Sequence, residues 1–141
     1  MTTYLLDTSV ISETARKKPD PKVIAWLSRL PRILLPSVTV FELASGIRRL
    51  PTGPKRAFLE EWLAEILGPS YEVLSFDASA ALECASLEVE ARRQRRTIET
   101  RDLFILATAK ARSFGVASRN VTHLRGLGVP VYDPFQDIHV I

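Results

Sequence analysis

A chain of 141 residues, 46% hydrophobic and 25% charged, has enough apolar material for one globular core, which excludes disorder and makes residues 1–141 a single domain. Nineteen Lys and Arg against sixteen Asp and Glu leave a net charge of +3, which permits a nucleic-acid partner without requiring one. The one cysteine, Cys84, excludes an internal disulfide and a cysteine-based zinc cage; with no basic and apolar leader and no apolar run near the roughly 20 residues that span a bilayer, a cytoplasmic protein is expected, with no membrane association.

Residues 3–6 form a short apolar run that stops at Asp7-Thr8-Ser9, residue types that favour turns and helix caps, so a buried strand is expected to run into a helix. Asp20-Pro21 supplies an N-cap and a first-turn proline for the next helix, whose buried side is Val23, Ile24, Trp26, Leu27 and Leu30 and which Pro31 ends. Residues 33–35 read as the second strand. Ser37 or Thr39 is expected to cap the helix after it, with Val40, Leu43, Ala44, Ile47 and Leu50 as its apolar stripe and Glu42 off that stripe. Beyond residues 51–54 the pairs Phe58/Leu59, Trp62/Leu63 and Ile66/Leu67 recur every four residues, marking an amphipathic helix with a wide apolar face that Gly68-Pro69 ends. That width points to a homodimer or another protein contact. Trp26 and Trp62 both fall on apolar stripes and are assigned to the core. Residues 72–76 read as a strand or an extended link, and Asp77 caps an alanine-rich helix reaching Arg92, Arg93, Arg95 and Arg96. Thr100 is expected to cap a helix from Asp102 to about Phe114, closed by Gly115, and residues 116–118 and 129–132 are the last strands. Short apolar strands alternating with longer helices give an α/β fold, a parallel sheet with helices on both faces. In such sheets the working site lies beyond the carboxyl ends of the strands, where strand order reverses, so residues directly after strands are the candidates.

Asp7 ends the first strand, and Asp102 heads a helix whose same face continues as Ile105, Leu106 and Ala109. A carboxylate on an apolar face is costly unless a cation or hydrogen bonds satisfy it; equally, Asp7 reads as an ordinary N-cap and Asp102 as an ordinary first-turn acid. Glu42 adds a third acid after the second strand, with Gly46 one turn on leaving room for a ligand, although a lone helical Glu is ordinarily solvated. Converging, the three would form an acidic pocket. With no cysteine at hand, and with His123 and His139 lacking ligand spacing and read as surface residues, that pocket suits Mg2+ or Mn2+ rather than zinc. Metal-assisted hydrolysis of a phosphodiester is the chemistry such a pocket serves. No G-x-G-x-x-G, P-loop or G-x-S-x-G pattern occurs, and Asp7-Thr8-Ser9 lacks the second acid of an aspartyl-phosphate phosphatase.

Four segments in order, Leu5-Leu6-Asp7-Thr8-Ser9-Val10-Ile11-Ser12-Glu13, Pro36-Ser37-Val38-Thr39-Val40-Phe41-Glu42-Leu43, Thr97-Ile98-Glu99-Thr100-Arg101-Asp102 and Ala117-Ser118-Arg119-Asn120, resemble the signature blocks of PIN-domain ribonucleases of the VapC toxin family. Pro19-Asp20-Pro21 is similar to a segment of its FitB-like branch. The resemblance implies a three-layer fold with a central, mostly parallel sheet flanked by helices. It implies a Mg2+- or Mn2+-dependent endoribonuclease, the toxin of a toxin–antitoxin pair held inactive by a cognate VapB-like antitoxin, that leaves a 5′-phosphate and a 3′-hydroxyl. Asp7, Glu42 and Asp102 match the family's metal site, and Asn120 stands at its fourth catalytic position as a neutral ligand that would hold a second ion less firmly. Ser9 and Ser118 are secondary polar contacts. Thr97 and His123-Leu124 depart from the commoner family residues, and the departure after Asn120 removes one possible acidic ligand. Arg96, Arg101 and Arg119 are candidates for RNA phosphates, Arg119 because it adjoins the pocket; helix-end arginines such as Arg92, Arg93, Arg95 and Arg96 equally serve the helix dipole. The alternative is a non-catalytic module that binds RNA or a partner, supported by Asn120 and the modest charge.

Overall fold

Neighbouring apolar residues on each inner strand point to opposite faces of the sheet, and this alternation divides the core in two. The computed structural model describes residues 2–141. Its strands are β1 (Tyr4–Leu6), β2 (Ile33–Pro36), β3 (Tyr71–Leu74), β4 (Gly115–Ala117), β5 (Val131–Asp133) and β6 (Ile138–Val140), in the order β3-β2-β1-β4-β5-β6. β1 to β5 run parallel, and β6 closes one edge antiparallel to β5. Leu5, Leu34 and Val116 belong to one apolar cluster, and their neighbours Leu6, Leu35 and Ala117 to the other. The first cluster is covered by α5 (Ala78–Arg93), α6 (Thr100–Ala111) and the single turn α7 (Val121–Leu124). The second is covered by α1 (Thr8–Ile11), α2 (Pro21–Ser28), α3 (Ser37–Arg48) and α4 (Pro54–Ile66). The three-layer α/β architecture expected from the strand and helix alternation is therefore the one observed. Among the described residues no helix is long and apolar enough to cross a membrane.

Several caps form as expected: the side chains of Asp7, Asp20 and Asp77 accept from the amides of Thr8, Lys22 and Ala80. Two do not. α3 begins directly after β2, with Pro36 at its cap position, so neither Ser37 nor Thr39 caps it. The Thr39 hydroxyl instead donates to the Leu6 carbonyl at 3.1 Å and ties α3 to β1, while Ser37 Oγ accepts from the Phe76 amide at 3.3 Å. Likewise Glu99 occupies the cap position of α6 and Thr100 is its first helical residue.

Gly115 does not close α6. Ser113, at φ +58°, turns the chain, and Gly115 lies within β4. Only a residue without a side chain fits there, because a Cβ would sit 2.7 Å from the Pro130 carbonyl oxygen and 2.8 Å from the Tyr4 ring. Both tryptophans serve the core: the Trp62 indole donates to Thr14 Oγ1 at 2.8 Å, and Trp26 packs against Tyr4 and Tyr132. The wide face of α4 is divided, with Trp62 and Ile66 buried and Phe58 and Leu67 more than half exposed.

Because β1 is flanked by β2 on one side and β4 on the other, strand order reverses at β1. Asp7 follows β1, Ser118 follows β4, and α3, which carries Glu42, follows β2. α6 is sunk in the core along most of its length, from Leu103 to Ala109, which fixes Asp102 at its first turn.

Candidate active site

Asp7 is placed by its own backbone. Its amide donates to the Ala117 carbonyl at 2.9 Å, which continues the β1–β4 pairing one residue past the strands and leaves the side chain between their ends. The residue is 7% exposed, yet both carboxylate oxygens are engaged. Oδ1 accepts from the Thr8 amide at 2.7 Å; Oδ2 accepts from Ser118 Oγ at 2.7 Å and from Ser9 Oγ at 3.2 Å. The two hydroxyls relay this contact outward, Ser118 Oγ accepting from the Asn120 amide at 3.0 Å and Ser9 Oγ from the Arg119 amide at 3.1 Å. The segment after β4 is thereby fixed against the start of α1.

Glu42 projects from α3 with its side chain about a quarter exposed. The Thr8 hydroxyl donates to its Oε1 at 3.2 Å, and the Arg101 guanidinium stands 4.0 Å from its Oε2. Burial and then the Asp7 charge push the Glu42 carboxyl above its usual range, against the opposing pull of Thr8 and Arg101. Asp102 is raised in the same way, by burial first and by Asp7 next, with His123 opposing. His123 Nε2 lies 3.3 Å from Asp102 Oδ2. The three acids are thus one electrostatic unit in which both shifted members feel Asp7.

A raised carboxylate pKa means that the charge costs stability in the folded state. The cost is present at neutral pH and vanishes as pH falls below the ordinary carboxylate range, where the group is protonated in folded and unfolded chains alike. Glu42→Gln, which keeps the acceptor for Thr8, is expected to raise the metal-free Tm by roughly 3 °C at pH 7 and by nothing at about pH 3. Thermal unfolding at the two pH values checks this; a fall in Tm at pH 7 would mean that Arg101 and Thr8 outweigh the repulsion.

Of the other sequence candidates, Asn120 is exposed and joins the site through its backbone contact to Ser118. Arg119 is exposed and lays its guanidinium over the Phe135 ring at 4.2 Å. Arg101 lies over Phe41 at 4.8 Å while facing Glu42. Arg96 donates to the carbonyls of Arg125 at 2.6 Å and His123 at 2.8 Å, so it staples the α7 turn to the end of α5. Sequence reasoning missed two members. Thr8 stood in view beside Asp7, but nothing in the chain told that its hydroxyl would reach Glu42. His123 is nearly half exposed, as a surface residue should be, but α7 turns it onto Asp102. Two further buried acids are satisfied elsewhere, Glu13 by the Asp20 amide and Arg16, and Asp133 by the Phe135 amide.

Among the described residues no three His, Cys, Asp or Glu side chains are drawn closely enough together to hold an ion as they stand. The donor chemistry nonetheless fits a hard divalent cation: carboxylate oxygens that repel one another, half screened from water, with serine and threonine hydroxyls fixing their orientation.

The PIN-domain family model matches residues 4–125. Toxin FitB of Neisseria gonorrhoeae is 36% identical over 137 residues, covering 94% of this chain and 99% of that protein. VapC ribonuclease Y4jK of Sinorhizobium fredii is 32% identical over 136 residues, covering 94% and 97%. The crystal structure of FitAcB from Neisseria gonorrhoeae superimposes with a TM-score of 0.86 at 35% identity, over 94% of this chain and 99% of the other. A match across most of the chain, at this identity and with the same fold, means that the chain belongs to the PIN-domain family, in the branch of the FitB and VapC proteins.

Proposed function

We propose that this chain is a Mg2+- or Mn2+-dependent endoribonuclease and the toxin of a toxin–antitoxin pair. The observation that carries this reading is the mutual electrostatic reach of Asp7, Glu42 and Asp102 at the carboxyl ends of the strands, where strand order reverses. The names of the relatives, a toxin and a ribonuclease, support it.

Asp7, Glu42 and Asp102 would hold the ion. When bound, it supplies an acidified water and offsets charge on the phosphodiester. Asp7 enters this work already oriented by Ser118, Ser9 and the Thr8 amide. Glu42, whose Oε1 the Thr8 hydroxyl holds, orients the attacking water and accepts a hydrogen bond from it. The water oxygen joins phosphorus as its proton passes to solvent, the bond from phosphorus to O3′ breaks, and the leaving oxygen takes a proton from solvent water, giving a 5′-phosphate and a 3′-hydroxyl. Asn120 contributes a neutral polar side chain. Arg101 and Arg119, both exposed, meet the phosphates of the strand.

A VapB-like antitoxin is the proposed inhibitor, and the exposed Phe58 of α4 and Leu67 just after it support a contact with it or with a second copy of the chain. Incubation of purified protein with a panel of structured RNAs tests the enzymatic reading. Cleavage that needs Mg2+ or Mn2+, stops in EDTA and leaves 5′-phosphate ends is expected. Cutting in EDTA, or 2′,3′-cyclic phosphate ends, would overturn it, because the ribose hydroxyl would then be the nucleophile.

A further inference from the structure

Beside the acids, on the far side of Arg101, a groove of about 500 Å³ runs between α3 and α6. Its lining is aromatic: Phe41 from α3, Phe76 from the link after β3, and Phe104 from α6. Phe76 and Phe104 pack with ring centroids 4.3 Å apart and planes tilted by 34°. Phe41 is 52% exposed, although it is a large apolar side chain on a helix with a well-buried face. Arg101 lies over its ring at 4.8 Å and faces Glu42 at 4.0 Å without a hydrogen bond to it, so an exposed guanidinium stands over an aromatic platform with donors free for an anion. Phe76 and Phe104 pack against the first core cluster, whereas Phe41 and Arg101 belong to neither cluster and are not needed to fill the core.

We propose that this groove is a base-stacking subsite for a nucleotide of the bound RNA strand adjoining the acids, with Phe41 and Phe104 receiving the base and Arg101 its phosphate. The inference rests on the ribonuclease reading for its choice of RNA. A nucleotide matches both halves of the groove, because every base offers a flat π-face to an aromatic platform and every linkage brings an anion. A purely apolar protein segment does not, since it would cover the Arg101 guanidinium and strip its water without replacing it. The groove shares Arg101 with the acid cluster, so a strand whose phosphate met Arg101 would pass from the stacking platform to the carboxylates without a break.

The test uses the full chain and short single-stranded RNA oligonucleotides carrying 2-aminopurine at successive positions, whose emission falls when the base stacks. Phe41→Leu removes the ring and keeps apolar volume; Phe41→Trp restores a ring. Wild type and Phe41→Trp are expected to quench one or two positions in EDTA, and Phe41→Leu to lose the quenching. In cleavage assays Phe41→Leu should raise KM roughly tenfold and change kcat by less than about twofold, the loss of one stacked base. Quenching with no cleavage by wild type would sink the nuclease reading and leave the subsite standing. Cleavage with quenching and KM unchanged in Phe41→Leu would do the reverse. The subsite also falls if Phe41→Leu alters the mass of the protein in light scattering while RNA affinity stays the same, since the groove would then be a contact between chains.

Discussion

Asp7→Asn is expected to lower metal-dependent RNA cleavage by about three orders of magnitude while leaving the far-UV circular dichroism spectrum unchanged. The variant keeps the Oδ1 acceptor for the Thr8 amide, so the start of α1 is preserved. What it loses is the charge and the second acceptor oxygen, which receives Ser118 and Ser9. Asp7 is also the acid that both other carboxylates feel, so its neutralisation removes a source of the raised proton affinity at Glu42 and Asp102. In the metal-free protein Glu42 and Asp102 then lie closer to ordinary carboxylates, and the cluster attracts a divalent ion less strongly. A charged ligand and the attraction for the ion are lost together, which is why the expected effect exceeds that of removing one hydrogen bond. Asp102→Asn should be comparably severe, because it removes an acid fixed by the buried α6 and leaves His123 without its partner. Cleavage within about tenfold of wild type in purified Asp7→Asn would place the chemistry elsewhere in the chain. The same comparison guards against a contaminating nuclease, whose activity would not follow a substitution in this protein.

The strength of that prediction depends on parts of the molecule that differ in how well the chain discloses them. Asp7 is legible because two local signals coincide, an apolar run that must be a strand and a capping residue that must end it; helix and sheet periodicity then deliver the α/β architecture without any long-range information. The caps of α3 and α6 are not legible in the same way. Ser37, Thr39 and Thr100 all have capping side chains, but β2 passes into α3 with no intervening loop, and the hydroxyl of Thr39 is drawn to the Leu6 carbonyl across the strand boundary. A tertiary hydrogen bond outbids a local one there, and composition cannot show it. Gly115 misleads for a related reason. A glycine after a helix reads as a stop, whereas the constraint on it comes from Pro130 and Tyr4, residues distant in sequence that meet it only in the folded sheet. His123 is the clearest case within the site itself. Its position on Asp102 depends on the α7 turn, which Arg96 holds by two carbonyls, so an arginine that the sequence offers as an RNA contact also aims the histidine. β6, with its exposed Ile138 and His139, is only three residues long, too short for its Ile-His-Val alternation to mark a strand, and is recognised by its pairing with β5.

Ser118→Ala is the sharper probe of how the site is built, because Ser118 needs no contact with substrate to matter. Its hydroxyl is fully buried, donates to Asp7 Oδ2 and accepts from the Asn120 amide, so one atom joins the principal acid to the segment carrying Arg119 and Asn120. Alanine leaves a buried carboxylate oxygen short of its strongest donor and a backbone amide without its acceptor. A stability loss on the order of 2 kcal/mol follows, read in urea unfolding. For activity the expected fall is about 10- to 100-fold, the usual cost of removing a group that orients a metal ligand, and it should appear chiefly as a weaker apparent affinity for Mn2+. Raising the Mn2+ concentration should therefore restore much of the rate in Ser118→Ala and none of it in Asp7→Asn, because the first variant keeps the carboxylate and the second does not. Full activity of Ser118→Ala at limiting Mn2+ would show that Ser9 and the Thr8 amide orient Asp7 by themselves. An activity loss that excess Mn2+ leaves untouched would instead place the role of Ser118 in holding Arg119 and Asn120 rather than in preparing Asp7 for the ion.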